Sequence, residues 1–165
     1  MTSSEGAQLA ETINRKLEEL SVVCEGIDEE TASRAPSGRW SPKQILSHIS
    51  GPDGIGLMPA IVTFLEQDSP RLEFEAANPF FSEKRSHMTF AQLLSGVKRE
   101  YGQMADLVAT LSDAQLARKA WVPLFKETPM GEQPTLATFV RAMAEHHLDF
   151  HIAHMKEVLA ELRGQ

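Results

Sequence analysis

The stretch PTLATFVRAMAEHHLDFHIAHMKEVLAEL, residues 134–162, predicts one long amphipathic helix. Its apolar and histidine residues recur every three or four positions, which is the spacing of one helix face. This stripe is apolar at both ends and imidazole in the middle, and it consists of Leu136, Val140, Met143, His147, His151, His154 and Val158. Because the apolar ends require burial, we expect the whole stripe to face the interior of the fold.

Three further segments have helical spacing, at about residues 2–23, 41–65 and 89–111. The second and third begin with a capping box, because Ser41 and Thr89 are each followed three residues later by Gln. Gly51-Pro52-Asp53-Gly54 is expected to kink the second helix or to end it briefly. The polar, proline-containing residues 67–88 predict a long connection.

Four amphipathic helices without sustained period-two alternation predict an all-α fold. The expected architecture is a four-helix bundle with residues 67–88 as a long crossover connection. A length of 165 residues predicts a single domain that spans residues 1–165. Sites in such bundles are built from side chains on facing helices.

Composition excludes several classes of protein. Sixteen Lys and Arg against 23 Asp and Glu give a net charge of −7, which argues against binding to nucleic acid or to anionic membranes. The single cysteine, Cys24, excludes a disulfide-built secreted domain. Glu5 and Glu11 interrupt the N-terminal segment where a signal peptide would be apolar, and no apolar run is long enough for a membrane span. We therefore expect a cytoplasmic protein with neither a membrane nor a nucleic-acid partner.

The histidines of the stripe point to a metal ion. Burying adjacent imidazoles without a shared partner would cost desolvation, whereas a metal accepts one nitrogen from each neutral ring. Residues four apart on a helix are roughly 5–6 Å apart, so His147 and His151 could share an ion, and His151 with His154 could do likewise. His147 and His154 are separated by about 10.5 Å of helix rise, which is too far. Spacing alone does not decide which of the two pairs would bind the ion. Either pair needs a third ligand from another helix, and His48 is the candidate.

Three protein ligands would leave coordination positions open, which is typical of a catalytic metal. No side chain is identified as catalytic, and the open positions would be available to water or substrate. Leu148 stands where a His-Glu-x-x-His protease has its general base. Glu145 and Asp149 lie about 200° round the helix from His147, where they could orient a ligand but not easily reach a water on the metal. A solvated patch of histidines is the competing interpretation.

Three other features have two interpretations each. Arg34, Arg39 and Lys43 form a local positive group, which is typical of a solvated face but could bind an acidic substrate or a thiol cofactor. Trp40 is expected to pack onto the start of the second helix rather than to contact substrate. His146 is expected to have a hydrogen-bonded structural role, since it lies about 100° from His147 on the helix.

Three motifs together resemble the DinB-like (YfiT-like) superfamily. These are the Trp-Ser-Pro-Lys sequence at residues 40–43, a histidine eight residues after the tryptophan, and His-x-x-x-His near the C-terminus. The resemblance implies a metal held by His48, His147 and His151. It also shows two departures: His154 stands where the family often has Gln, and residues 51–54 interrupt a helix that is commonly longer. His154 could therefore support the ligands or replace one.

The resemblance also implies an activity. Family members of known function are largely metal-dependent S-transferases or isomerases that use thiols such as mycothiol, bacillithiol or glutathione. We accordingly expect a divalent transition metal, zinc or nickel as isolated, a small-molecule substrate, and a homodimer. A non-catalytic protein that binds a metal or a small ligand in stress or sensing is the alternative, because no general base lies near the stripe.

Overall fold

The helices begin where the capping residues predict. In the computed structural model, which describes residues 1–164, Ser41 and Gln44 form a complete capping box, and so do Thr89 and Gln92. Each box satisfies two backbone N–H groups that the first helical turn would otherwise leave unpaired. The helices in chain order are α1 Ser4–Val23, α2 Glu29–Ser33, α3 Pro42–Ile49, α4 Met58–Glu66, α5 Glu83–Ser86, α6 Phe90–Val108, α7 Asp113–Leu116, a 3₁₀ turn Pro123–Phe125, α8 Leu136–Arg141 and α9 Leu148–Arg163.

The fold is an all-helical four-helix bundle, as predicted. Helix α1 packs against α6 and against the long C-terminal helix, while α3 packs against α6 and α9. Burial of one face of each helix forms a single core, which includes Ile13, Ile45, Val97 and Met155, all without exposed surface. Within the described part of the chain there is no β-strand, and two isolated bridges, Arg71–Trp121 and Lys119–Thr135, are the only β-type pairings.

The predicted break in the second helix is present. Gly51 and Gly54 adopt left-handed backbone conformations, with φ of 76° and 78°, which residues with side chains rarely adopt. The chain therefore leaves α3 at Ile49 and resumes as α4 at Met58. Residues 67–88 follow as a mostly irregular connection, which includes the short helix α5. Among residues 1–164, no helix is both long enough and apolar enough to cross a membrane.

The C-terminal helix contains one irregularity that the sequence pattern did not predict. Between α8 and α9 the backbone of Ala142–His147 is π-helical, a wider turn that accommodates an extra residue. This π segment packs against α1 and ends at His147. Such turns are rare and are frequently found at functional sites. The irregular turn therefore includes His147 and lies just before His151, two of the histidines that the sequence analysis identified.

Candidate metal centre

The structure brings His48, His147 and His151 together. His48 lies in the last turn of α3, His147 ends the π segment, and His151 lies in the first turn of α9. One nitrogen of each ring lies within 4.8 Å of those of the other two, and the Nε2 atoms of His48 and His147 are 3.0 Å apart. His154 is outside this group, although its Nδ1 lies 3.4 Å from Nδ1 of His151. Among the described residues, the three histidines could hold one metal ion between α3 and the C-terminal helix.

The outward nitrogen of two rings has its own hydrogen-bond partner. Nδ1 of His48 donates to the backbone carbonyl of Asn78 at 2.6 Å, and Nδ1 of His147 lies 3.1 Å from the hydroxyl of Tyr101. Because a carbonyl can only accept, the His48 proton belongs on Nδ1, and the lone pair of its Nε2 faces the cluster. Partners of this kind fix the tautomer and the orientation of metal-binding histidines.

These partners differ from the residues that the sequence suggested. Asp149 is exposed and forms an ion pair with Lys16, with Nζ and the carboxylate oxygen 2.6 Å apart. No hydrogen bond in residues 1–164 joins Glu145 or Asp149 to the three rings. The sequence analysis assigned no role to Tyr101, although its hydroxyl was an available signal, because a tyrosine hydroxyl needs a partner when it is buried. Asn78 could not have been identified from the sequence, because it contacts His48 through its backbone carbonyl, a group that every residue has.

Burial keeps the three imidazoles neutral at physiological pH. Burial, together with a smaller effect of the nearby histidines, lowers the pKa of His147 to about 4 and the pKa of His151 to about 2. Burial also lowers the pKa of His48, although the hydrogen bond to Asn78 opposes this shift. A neutral imidazole has a free lone pair for a metal, so the cluster is prepared for ligation without loss of a proton.

Metal-free protein is expected to lose stability as the pH falls from 7 to 5. An unfolded histidine has a pKa of about 6.5, so between pH 7 and 5 the unfolded state binds protons that His147 and His151 do not bind in the folded state. Stability therefore decreases with decreasing pH, by about 2 kcal/mol for each of the two rings and about 4 kcal/mol in total over this range. Urea unfolding after chelation would measure this change, and a His151→Phe variant should show a shallower slope. A flat profile for the unaltered protein would contradict the burial of neutral rings.

A loop fixed to the end of α3 supports His48. The guanidinium of the buried Arg85 donates to the carbonyls of Ser47 at 3.0 Å and Gly51 at 2.5 Å, and Ser47 Oγ donates to the carbonyl of Phe80 at 3.0 Å. Phe80 has a φ of 51°, an unusual value for a residue with a side chain. Its ring lies parallel to that of His48, with centroids 6.0 Å apart. The same contacts therefore hold the loop that contains Asn78.

The three histidines line a cavity of about 770 Å³. Its wall is largely apolar and aromatic, and Trp40 belongs to it. The Trp40 ring stacks on that of His151 at an interplanar angle of 10°, with centroids 6.3 Å apart. Trp40 thus contacts the cluster, a position that the sequence analysis did not assign to it. His146 is exposed at the cavity, and among residues 1–164 it has no hydrogen bond of the structural kind that was expected.

Changing Tyr101 to phenylalanine is expected to weaken metal binding by about 10- to 100-fold. The ring would still fill its site in the core, where Tyr101 has no exposed surface, but Nδ1 of His147 would lose the hydroxyl that lies 3.1 Å from it. Competition with a chelating dye would measure the affinity. Ser21→Ala is the matched control, because it removes a half-buried hydroxyl on α1 that bonds to the Leu17 carbonyl. Equal affinities in both variants would argue against a role for Tyr101 in orienting the ring.

Comparison with known proteins confirms the resemblance. Among solved structures, YfiT from Bacillus subtilis, described as a probable metal-dependent hydrolase with an unusual four-helix bundle topology, superposes with a TM-score of 0.75. It is 19% identical, and the match covers 98% of this chain and 90% of YfiT, which shows that the fold is shared. No curated protein sequence matches the chain. The sequence model of the DinB superfamily matches residues 12–163, and the chain therefore belongs to the DinB superfamily.

Proposed function

We propose that this protein is a metal-dependent enzyme in which His48, His147 and His151 hold one divalent transition-metal ion. The observation that carries the proposal is the convergence of three neutral ring nitrogens at the wall of a large cavity. Nitrogen ligands of this type suit zinc and nickel. The description of YfiT as a probable metal-dependent hydrolase supports the same conclusion.

The residues define how the site would work. Such an ion, when bound, supplies Lewis acidity that lowers the pKa of a water or a thiol and aims it at an electrophile. The Asn78 carbonyl and the Tyr101 hydroxyl hold the rings of His48 and His147 in place. The largely apolar wall beside the three rings would contact the substrate. Among residues 1–164, no carboxylate bonds to the cluster, and we assign the role of nucleophile to an external water or thiol.

We favour transfer of a low-molecular-weight thiol to a small electrophile, with hydrolysis as the variant in which water takes the place of the thiol. Support comes from the family resemblance for the thiol and from the YfiT description for water. The resemblance also supports a homodimer, which light scattering would test. A non-catalytic metal- or ligand-binding protein is the second candidate, and the absence of a general base from the cluster in the described chain favours it.

Protein purified without an affinity tag is expected to contain about one zinc or nickel ion per chain. Thiols would then be assayed with chlorodinitrobenzene and esters would be assayed for hydrolysis, before and after chelation. Turnover that chelation abolishes and metal restores would support an enzyme, and the active nucleophile would identify the reaction. Bound metal without turnover in either assay would favour the non-catalytic candidate. Protein that neither retains nor takes up these ions would contradict the metal site itself.

A further inference from the structure

We propose that a second, smaller cavity, lined by the loop 51–57 and by α5 and α6, binds the phosphate group of a small molecule. None of the three clustered histidines lines this cavity, so the assignment does not depend on the function proposed above. It is carried by two polar groups on buried residues that have no partner, by the cations around them and by the space at Gly96.

Two buried residues in the wall each have a polar side-chain atom without a hydrogen-bond partner. Arg85 is 9% exposed, and all its side-chain hydrogen bonds within residues 1–164 are donated by Nη1, which leaves Nη2 without a partner. Ser50 is 5% exposed, and its Oγ likewise has no partner in this part of the chain. No side-chain nitrogen or oxygen of the described residues is both fully enclosed and unpaired, so these two atoms must reach an open surface, and both residues line this cavity. A ligand that accepts from both would complete their hydrogen bonding.

Two further cations line the cavity without an ion pair. Lys84 and Arg99 are exposed, and within the part of the chain that the structure describes neither forms an ion pair or a side-chain hydrogen bond. Burial lowers the pKa of Arg85, the carboxylates of Asp53 and Glu100 oppose this shift, and the nearby guanidinium of Arg99 adds to it. An anion bound between the two guanidinium groups would offset the repulsion between them.

The two carboxylates of this wall already accept hydrogen bonds from the protein. Asp53 accepts from the hydroxyl of Ser82 at 2.5 Å, and Glu100 accepts from the backbone N–H of Leu57 at 3.1 Å. Three cations against two carboxylates leave the cavity with a positive charge in a protein whose net charge is −7. Guanidinium groups bind phosphate through several N–H donors in a fixed geometry, and a phosphate group has enough oxygens to accept from all of these donors at once.

Gly96 on α6 keeps the space between these donors open. A Cβ atom at this position would lie 3.7 Å from Oγ of Ser50 and 3.9 Å from Nη2 of Arg99, so the two donors lie on either side of a common point. The cavity has a volume of about 260 Å³, just below the roughly 300–1,000 Å³ of sites for drug-sized ligands. It therefore suits a phosphate group with a short organic substituent.

The positive group that the sequence analysis noted consists of different residues, and these are paired. The guanidinium of Arg39 pairs with two carboxylates of α9 at 2.8 and 2.5 Å, and Nζ of Lys43 lies 2.7 Å from a carboxylate of α2. Arg34 donates to a backbone carbonyl at 3.3 Å. That group therefore stabilises the fold through contacts that Lys84 and Arg99 lack.

Calorimetric titration with inorganic phosphate, glycerol 2-phosphate and glycerol would test the site. We expect both phosphates to bind with a Kd of about 1 mM or below and glycerol not to bind. Arg99→Gln should weaken binding at least about tenfold, while Arg15→Gln, the same change at an exposed arginine of α1, should leave it unchanged. Gly96→Ala should weaken binding about threefold or more, while Gly102→Ala on the same helix, where the added carbon would lie in open space, should have no effect. Equal affinities would show that the free ion is sufficient, and tighter binding of the ester would add the organic part to the ligand; both results support the site.

A metal ion held by the three histidines could also attract phosphate, so the titrations are made on protein as purified and again after chelation and dialysis. Binding that survives chelation supports the second cavity, and binding that is lost with the metal would place the anion at the histidines and overturn the proposal. Absence of binding by either phosphate at about 10 mM would overturn it too, as would equal effects of the two glutamine variants. If Arg99→Gln fails to fold by circular dichroism, Lys84→Gln takes its place, with an expected loss of about threefold. Metal content is measured on the same samples, and protein that binds phosphate but no metal would contradict the proposed enzyme alone.

Discussion

Changing His151 to alanine should reduce bound metal at least about tenfold, from about one ion per chain. The substitution leaves two ring nitrogens, from His48 and His147, where the structure brings three together. His154 is not among the residues whose ring nitrogens converge, although its Nδ1 lies 3.4 Å from Nδ1 of His151. Elemental analysis of untagged protein, followed by titration with zinc or nickel, would measure the loss.

The matched control is His87→Ala, which removes an exposed histidine just after α5. It should retain the full metal content. Because His151 is buried, a His151→Gln variant of similar size guards against loss of folding and should also lose metal. Full occupancy in both His151 variants would rule out this residue as a ligand, and equal loss in His87→Ala would show that binding is not confined to the cluster.

Changing Arg85 to methionine should have the largest effect on stability, a loss of about 3 kcal/mol. The guanidinium is buried and donates to the carbonyls of Ser47, Gly51 and Phe80, and methionine would fill much of the space without donating. Buried carbonyls left without partners carry the full cost of desolvation. The affinity for metal should fall as well, because the loop that orients His48 would keep only its bonds to Ser47 Oγ and to the His48 ring among those described above.

Urea unfolding would give the change in the free energy of unfolding, and dye competition would give the change in metal affinity. Arg15→Met is the control, because Arg15 is exposed on α1 and the same substitution there should change stability by less than about 0.5 kcal/mol. A small effect at Arg85, similar to that at Arg15, would mean that the loop is held by its other contacts. A loss of stability with unchanged metal affinity would show that Arg85 stabilises the fold but is not needed to orient His48.

Local patterns account for the parts of the structure that the sequence predicted correctly. The capping boxes at Ser41 and Thr89 involve residues three apart, so the helix starts could be identified without knowledge of the fold. The spacing of His147 and His151 is likewise local, although the choice between this pair and His151 with His154 came from the family resemblance. The position of His48 opposite them depends on how α3 packs against α9, which no local pattern specifies.

The features that were missed depend on distant contacts or on the backbone. The Asn78 carbonyl and the Arg85 guanidinium act through hydrogen bonds to residues 30 or more positions away, and a carbonyl is present at every residue. The short helices α2 and α5 have too few residues for a periodic pattern to show. The π segment has no sequence signature in the stripe, which keeps its three- and four-residue steps through Met143 and His147.

The π segment also determines how this helix can change in length. Because Ala142–His147 holds one residue more than a regular turn requires, removal of a single residue there could be absorbed by conversion to an ordinary α-helix. Because the deletion and the loss of the wider turn compensate each other, the residues that follow would keep their faces, and His151 would still face His48. A relative with a one-residue gap in this segment would therefore retain the imidazole of α9 in the cluster, whereas a regular α-helix of the present length would turn that imidazole away by roughly 100°.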